Sequence, residues 1–496
     1  MTAETTEMAG AGRVPLCVDL DGTLVKSDTL VDSVLVMARQ RPLSLLQIPG
    51  WLGRGKAAFK EQVTRAVELD VEHLPYNREL LQYLQQEHGR GREIYLATAA
   101  DAGLAQRVAA HLGIFAGVMA SDGLRNLAGR NKLAAFQTRF PQGFCYIGNA
   151  TPDARVLAAC AEPMVANPTG GLKAGMRRRK TVPVREFSDG SSKLRAFFRA
   201  IRIHQWAKNI LIFLPLMLAH AWTKAAITAG VVAFFSLSFC ASATYIINDL
   251  LDLEADRRHP RKSQRAFASG DLSAIAGVAI VCVFFGGSLV LALLLPGIYT
   301  RLSGGTMALV PYRFLLWLMI YLVTTLAYSF RLKRMVMVDV IVLSALYTVR
   351  IIAGSEATGV AISQWLGAFS VFFFLSLAFV KRFAEMESLL ARNAVPSNGR
   401  GYLVGDIEQL RAFGSSSAYA SVFVLMLYIS TLNAANLYHH PKLLWLLVPV
   451  LILWLSRMWL QASRGQLDED PVVYAITDKK SLLLGVIVAG IVVMAL

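Results

Sequence analysis

Cysteine is scarce in this 496-residue chain: five residues, Cys17, Cys145, Cys160, Cys240 and Cys282, with no CxxC pair or other metal-ligand spacing. An odd, dispersed set excludes a disulfide framework and a cysteine-built metal site, and leaves reduced packing residues. Also missing is an apolar core in the opening stretch MTAETTEMAGAGRVP, of the length a secretory signal needs, so the first domain is expected to stay in the cytoplasm. Nor is there a basic stripe with interleaved aromatics. Lys and Arg outnumber Asp and Glu by 50 to 34, for a net charge of +16. The cations cluster beside apolar runs, which argues for anchoring at a membrane rather than for nucleic acid.

What is present in excess is apolar surface. Hydrophobic residues make up 55% of the chain and the mean hydropathy is +0.46, so part of the protein belongs in lipid. The distribution is uneven: mixed polar sequence in the first half, then long apolar runs after about residue 208, with a boundary near 170–200. In the first part, 14–20, 93–98 and 144–148 read as short strands with helical stretches between them, which means a parallel α/β sheet. Helix-like sequence over 28–90 interrupts that alternation as a small cap, so a Rossmann-like domain is expected over 1–168. Residues 169–204 carry Gly, Pro and the basic run RRRK before KLRAFFRAIRIHQWAKN, and read as a linker followed by a helix lying on an anionic membrane face.

Nine apolar segments follow, at about 209–223, 226–247, 273–296, 308–328, 335–356, 363–380, 415–433, 443–460 and 481–496, so an all-α bundle of nine transmembrane helices is expected over 205–496. Alternate loops hold the cations: Arg257, Arg258, Arg261, Lys262 and Arg265, then Arg331, Lys333 and Arg334, then Lys381, Arg382, Arg392, Arg400 and Arg411, then Arg464, Lys479 and Lys480. This places those loops and the first domain on the cytoplasmic side of an inner membrane, with the C-terminus outside.

Asp19-Leu20-Asp21-Gly22-Thr23-Leu24 follows the first expected strand and sets two carboxylates two residues apart on a glycine turn. Such a pair can divide nucleophilic and acid/base work. The segment resembles the first motif of the haloacid dehalogenase superfamily. The resemblance implies that Asp19 attacks phosphorus to form an aspartyl-phosphate and that Asp21 protonates the leaving alcohol. It also implies Thr98 as a phosphate-binding hydroxyl, Lys132 as the positive charge, and Asn149 and Asp153, with Asp19 and Asp21, around Mg²⁺. Family members usually carry an acid where Asn149 stands, so one ligand here is neutral. An acid at position 21 favours a phosphatase over a dehalogenase.

In the second half, Asn248-Asp249-Leu-Leu-Asp252-Leu-Glu-Ala-Asp256 ends the second apolar segment. Aspartates at spacings of three and four share one helical face, and packed like charges at a membrane helix end ask for a cation. The pattern NDxxDxxxD resembles the first Asp-rich motif of the UbiA superfamily of intramembrane prenyltransferases. That resemblance implies that Asn248, Asp249, Asp252 and Asp256 hold Mg²⁺ and a leaving diphosphate. It also implies that Tyr328, Lys333 and Arg334 steady phosphate oxygens in the next cytoplasmic loop. Arg350, polar and deep in an apolar segment, joins the candidates. Where quinone-type prenyltransferases carry a second acidic pair, Asp339 stands alone. HQWAKN at 204–209, DLEADRRHP, KRFAEM at 381–386, RGYL at 400–403 and EDPVVYAITDKKSL at 469–482 resemble instead the branch that transfers phosphoribose to decaprenyl phosphate. Lys208 and Asn209 read as phosphate contacts at the interface, or Trp206 and Lys208 as a plain aromatic and basic anchor. Glu385, Asp470 and Asp478 read either as site acids or as solvated loop charges.

The function these features imply is bifunctional. 5-Phosphoribose would pass from phosphoribosyl diphosphate to a polyprenyl phosphate, as in cell-envelope biosynthesis, and the first domain would remove the 5-phosphate. Mg²⁺ is expected in both domains, the bilayer and a lipid substrate are the partners, and a homo-oligomer is open. The alternatives are prenyl transfer from a diphosphate to an aromatic acceptor, with a phosphatase of separate substrate, and a non-catalytic membrane scaffold.

Overall fold

A computed structural model describes residues 14–121, 126–304, 310–390, 401–431, 437–467 and 471–496. Two compact units emerge: Met1–Arg202 together with Tyr245–Val281, and Ile203–Thr244 together with Cys282–Leu496.

The first unit contains six parallel strands, β1 (Leu16–Val18), β2 (Ile94–Asp101), β3 (Gly117–Ser121), β4 (Cys145–Gly148), β5 (Pro163–Ala166) and β6 (Arg185–Phe187), in the order β3-β2-β1-β4-β5-β6. Because successive strand side chains point to opposite faces, β1 feeds two cores. Leu16 and Val18 join Ile94, Leu96 and Ile147 on one side, while Cys17 joins Ala97, Phe136, Phe144 and Tyr146 on the other. The order runs away from β1 in both directions, so a crevice opens beyond the carboxyl ends of β1 and β4, the place where such sheets bind ligands.

The helices of this unit are α1 (Thr29–Gln40), α2 (Ile48–Gly53), α3 (Lys56–Ala66), α4 (Arg78–Gly89), α5 (Ala102–Leu112), α6 (Arg130–Arg139), α7 (Ala154–Leu157), α8 (Gly170–Arg178) and α9 (Lys193–Ile201). Side-chain oxygens cap several of them: Asp28 accepts the amides of Leu30 and Val31 at the start of α1, and Asn77 accepts that of Leu80 at the start of α4. The stretch expected as a separate cap is continuous with the sheet core. Val36 and Met37 of α1 and Leu80 and Leu84 of α4 pack in the same cluster as Leu16 and Val18.

The expected end of this domain at 168 needs correction. β6 pairs with β5 through Met164 and Arg185, Val165 and Glu186, Ala166 and Phe187, and Phe187 is fully buried. Val182 and Val184 are exposed and follow the basic run RRRK, so the stretch looks like a linker although three residues of it complete the sheet.

The second unit is helical. In chain order the remaining helices are α10 (Leu214–Leu218), α11 (Lys224–Leu251), α12 (Leu253–Arg258), α13 (Ala274–Leu302), α14 (Val310–Phe330), α15 (Val338–Thr358), α16 (Gln364–Leu390), α17 (Ile407–Ile429), α18 (Leu447–Ser463), α19 (Pro471–Thr477) and α20 (Lys479–Ala495). The segment around the Asp-rich motif, Tyr245–Val281, groups with the α/β unit, so α12 and parts of α11 and α13 belong there.

Among the described residues seven stretches are long and apolar enough to cross a membrane: α11, α13, α14, α15, α16, 404–429 and 441–463. Two of the nine expected spans are not among these seven. The first apolar run folds as a 3₁₀ stretch (Ile203–Phe213) followed by the five-residue α10, which carries Pro215 at its second position. Its backbone lies against α15 at Gly354, where a Cβ would stand 2.1 Å from the carbonyl oxygen of Ile212. Only glycine admits that approach. The last run, α20, is a 17-residue helix.

Candidate active sites

In the α/β unit, chain geometry converges at the end of β1. The Asp19 amide donates to the Ile147 carbonyl at 3.0 Å, which holds the following turn beside β4. Gly22, at φ +72°, is packed so closely on Asn149 that a Cβ would sit 2.0 Å from its amide nitrogen. Lys132, 2% exposed on α6, places Nζ 3.0 Å from Asp19 Oδ1 and 2.9 Å from the Tyr146 hydroxyl. That hydroxyl donates to Asp153 Oδ1 at 2.8 Å, and Asp153 Oδ2 accepts the amides of Asn149 and Ala150. Four of the expected residues therefore form one cluster, with Tyr146 as a member that sequence reading missed.

Asp153, expected as a metal ligand, is turned toward Tyr146 and the loop amides. Thr98 is fully buried within β2, its hydroxyl accepting the Ala100 amide at 3.0 Å. Asp21 faces α1: its Oδ1 accepts both the amide of Thr29 at 2.8 Å and the Thr29 hydroxyl at 2.7 Å. Across a small cavity of about 50 Å³ from Asp21 lie Asp28, Thr64, Asp101 and Lys60. Lys60 Nζ donates to the Ala99 carbonyl at 2.6 Å, and burial lowers its pKa against the pull of Asp21. A lysine on an amphipathic helix gave no signal of this placement.

The two carboxylates are loaded differently. Burial raises Asp19 to about 6, restrained by Lys132. Burial, reinforced by the charge of Asp28, raises Asp21 to about 7. The carboxyl beside the lysine is thus the more readily ionised and suits a nucleophile, while its neighbour retains a proton near neutrality and suits a general acid. Any turnover that needs a protonated Asp21 should accordingly fall as pH rises through about 7, because Asp21 then loses its proton. Asp28→Asn removes a like charge and lowers the Asp21 pKa, so the alkaline limb of a kcat/KM profile should move to lower pH. An alkaline limb indifferent to this substitution would separate Asp21 from the acid role.

Asn149 Oδ1 is buried and accepts no hydrogen bond. An orphaned amide oxygen beside the Asp19 turn is the donor type a hard cation takes, so Asp19 and Asn149 fit Mg²⁺.

The Asp-rich segment is arranged differently from the expected single helical face. α11 ends at Leu251, Asp252 sits at the junction, and α12 begins at Leu253. Asp249, 4% exposed, is gripped by Arg202 Nη2 at 2.6 and 2.8 Å. Arg265 Nη1 bridges Asp249 at 3.1 Å and Asp256 at 2.6 Å. Asp252 pairs with Arg39 of α1. Burial raises Asp256, and Arg265 opposes the rise. Asn248 is half-buried beside them. Two buried carboxylates that already share one cationic nitrogen are an oxygen donor set compatible with Mg²⁺. Arg39 and Arg202 were not singled out from sequence, and Arg265 stood there only among the loop cations read as anchors.

In the helical unit, Asp339 is fully buried at the start of α15 and bound by Arg382 Nε and the Tyr402 hydroxyl. Arg382, also fully buried, donates to Glu385 at 2.7 Å and to the Tyr328 hydroxyl at 2.9 Å. The KRFAEM and RGYL segments therefore supply the partners of Asp339; Arg400 and Asp470 lie outside the described residues. Lys333 is half-buried and Arg334 exposed on a 3₁₀ turn (Leu332–Arg334).

Arg350 is spent inside the bundle. Its Nε donates to Asn209 at 2.9 Å and Nη2 to the Tyr321 hydroxyl at 3.2 Å. Asn209 passes the link to Ser238 at 2.9 Å. Lys208, 7% exposed, stands over the Tyr347 ring and lines an apolar cavity of about 310 Å³ with Leu211, Phe373 and Trp454. Asp478 caps α20 and pairs with Arg457, which, with the cap hydrogen bonds, lowers it to about 2.

Residues 210–480, more than half of the chain, match the UbiA prenyltransferase family. The chain belongs to that family. It is a UbiA protein with an α/β unit ahead of its membrane helices. Among relatives, an uncharacterized protein, y4nM, of Sinorhizobium fredii is 38% identical over 489 residues, 98% of this UbiA chain and 91% of its own length. The nodulation protein NoeC of Azorhizobium caulinodans is 32% identical over 292 residues, 58% of this chain and 89% of that one. The decaprenyl-phosphate phosphoribosyltransferase of Mycobacterium tuberculosis is 35% identical over 201 residues, 38% of this UbiA chain and 59% of that protein. The match to y4nM runs through both parts, so the fused organisation recurs there.

Proposed function

We propose that the UbiA part transfers 5-phosphoribose from phosphoribosyl diphosphate to a polyprenyl phosphate, and that the α/β unit is a haloacid dehalogenase-type phosphatase removing the 5-phosphate from that product. The observation that carries the reading is the state of Asp339. A second acidic pair would serve a second cation, but Asp339 is bound by Arg382 and the Tyr402 hydroxyl, and Arg382 also holds Glu385, so the carboxylates here are already taken up by a cation of the chain. A site built this way suits an acceptor that brings its own negative charge. The partial similarity to decaprenyl-phosphate phosphoribosyltransferases supports the same substrate class.

In the transfer step the bond from the ribose anomeric carbon to diphosphate breaks as an oxygen of the lipid phosphate bonds to that carbon, and diphosphate leaves. Asp249, Asp252 and Asp256 would hold Mg²⁺, whose charge stabilises the departing diphosphate. In the hydrolytic step Asp19 attacks the 5-phosphorus, Asp21 gives its proton to the ribose oxygen, and water then releases phosphate from Asp19. Asp19 and Asn149 would hold the Mg²⁺ that offsets charge on the phosphoryl oxygens. Lys132 orients the Asp19 carboxylate. In this reading the α/β unit and the charged loops face the cytoplasm of an inner-membrane protein, and the C-terminus lies outside.

The test is mass spectrometry of lipid recovered after detergent-purified protein is incubated with Mg²⁺, polyprenyl phosphate and phosphoribosyl diphosphate. A lipid gaining the mass of a pentose is the expected product. An unchanged lipid here, with prenylated product formed from a prenyl diphosphate and an aromatic acceptor, would replace the reading with prenyl transfer.

A further inference from the structure

One helix touches both sets of carboxylates. At the start of α1, Thr29 gives two hydrogen bonds to Asp21. At its other end Arg39 pairs with Asp252 and donates to the carbonyl of Leu251 at 3.0 Å, the last residue of α11. Between them Asp32 accepts Arg257 Nη2 at 2.8 Å, and Ser27 bonds both Asp32 at 2.6 Å and Arg257 at 3.1 Å. From Thr29 to Arg39 a helix spans about 15 Å.

These three attachments differ in strength. Side chains of Asp32 and Arg257 are 2% and 4% exposed, and removing one partner of such a pair strands a buried charge. The Arg39 pair is a third exposed on the arginine side and is the weaker hold. The buried Asp32–Arg257 pair therefore holds the middle of α1 to α12 as a pivot, and the Arg39 end is the part that yields. Arg39 and a cation compete for the same carboxylate, because Asp252 belongs to the triad proposed above to hold one.

We propose that α1 links the two active sites: a divalent cation with diphosphate displaces Arg39 from Asp252, and the loosened helix alters its grip on Asp21 through Thr29. The inference rests on reading the Asp-rich motif as the diphosphate site. Arg39 is then a positioning residue carried by one catalytic unit and read by the other. Its consequence is that the phosphatase site senses whether transfer has left diphosphate behind.

Hydrogen exchange tests it on the full-length Asp19→Asn protein in detergent, with and without Mg²⁺ and inorganic diphosphate. Peptides over 249–258 should slow, and those over 29–40 should exchange about two- to fivefold faster, the factor a part-exposed ion pair carries. In an added Arg39→Ala the 29–40 peptides should be fast under both conditions, and Arg39→Lys should respond in part. Adding Asp249→Asn should abolish the response of 29–40. A response that survives Asp249→Asn would place diphosphate at the phosphatase instead and overturn the link. Slowing at 249–258 with no change in 29–40 would also overturn it, while leaving the motif's role intact. No change at 249–258 would remove both the motif reading and the link.

Discussion

Asp249→Asn should lower pentosyl transfer by about 10²- to 10³-fold, the range seen when one group stabilising developing charge is removed. Asp249 is buried and meets two arginines, Arg202 and Arg265. Neutralising it weakens the hold on a cation and leaves Arg202 facing an uncharged amide. The two effects separate in the Mg²⁺ dependence. A lost ligand moves half-saturation to higher Mg²⁺, whereas a displaced Arg202 lowers the plateau without moving the midpoint. A transfer rate within a few-fold of the native protein would remove Asp249 from the reacting centre. Asp256 shares Arg265 with it, so the double substitution should cost less than the product of the two single ones, as expected for residues in one network.

Asp19→Asn should reduce phosphate release by about 10³-fold or more, since loss of a nucleophile removes the whole covalent route. The side chain stays isosteric, and Lys132 keeps its contact with Tyr146 at 2.9 Å, so the pocket should survive. Incubated with both transfer substrates, this variant should accumulate a lipid carrying a phosphopentose where the native protein yields a bare pentose. Asp21→Asn should be milder and pH-dependent in character, because a positioned acid contributes about 10²- to 10⁴-fold. Lipid product identical in mass from native and Asp19→Asn protein would assign the phosphatase a different substrate.

Much of the α/β site was legible because its chemistry follows strand ends. Asp19 and Asn149 sit just past short apolar runs, and a parallel sheet brings such positions into one crevice whatever lies between them. Tyr146 and Lys60 were not legible. A tyrosine in a strand reads as core and a lysine on a helix reads as surface, and only packing makes the first a hydroxyl donor to Asp153 and the second a neighbour of Asp21. In the membrane part KRFAEM and RGYL stood out as patterns without a task. The task is the neutralisation of Asp339, and it depends on Arg382 and Tyr402 arriving from segments 43 and 63 residues away.

Apolar run length and loop charge determined by themselves that this is a multi-pass membrane protein, and the Asp-rich spacing marked its UbiA character. Those properties are local: lipid solvation reads stretches of about 20 residues, and a motif is legible within one turn or helix end. Tertiary structure alone decided that Arg185–Phe187 completes the sheet, that the first apolar run is not a continuous helix, and that each aspartate of the motif meets an arginine. Strand pairing, close helix contact at Gly354 and ion pairing between distant segments are long-range choices. Their energies arise only when residues far apart in the chain are brought together, and no local pattern encodes that meeting.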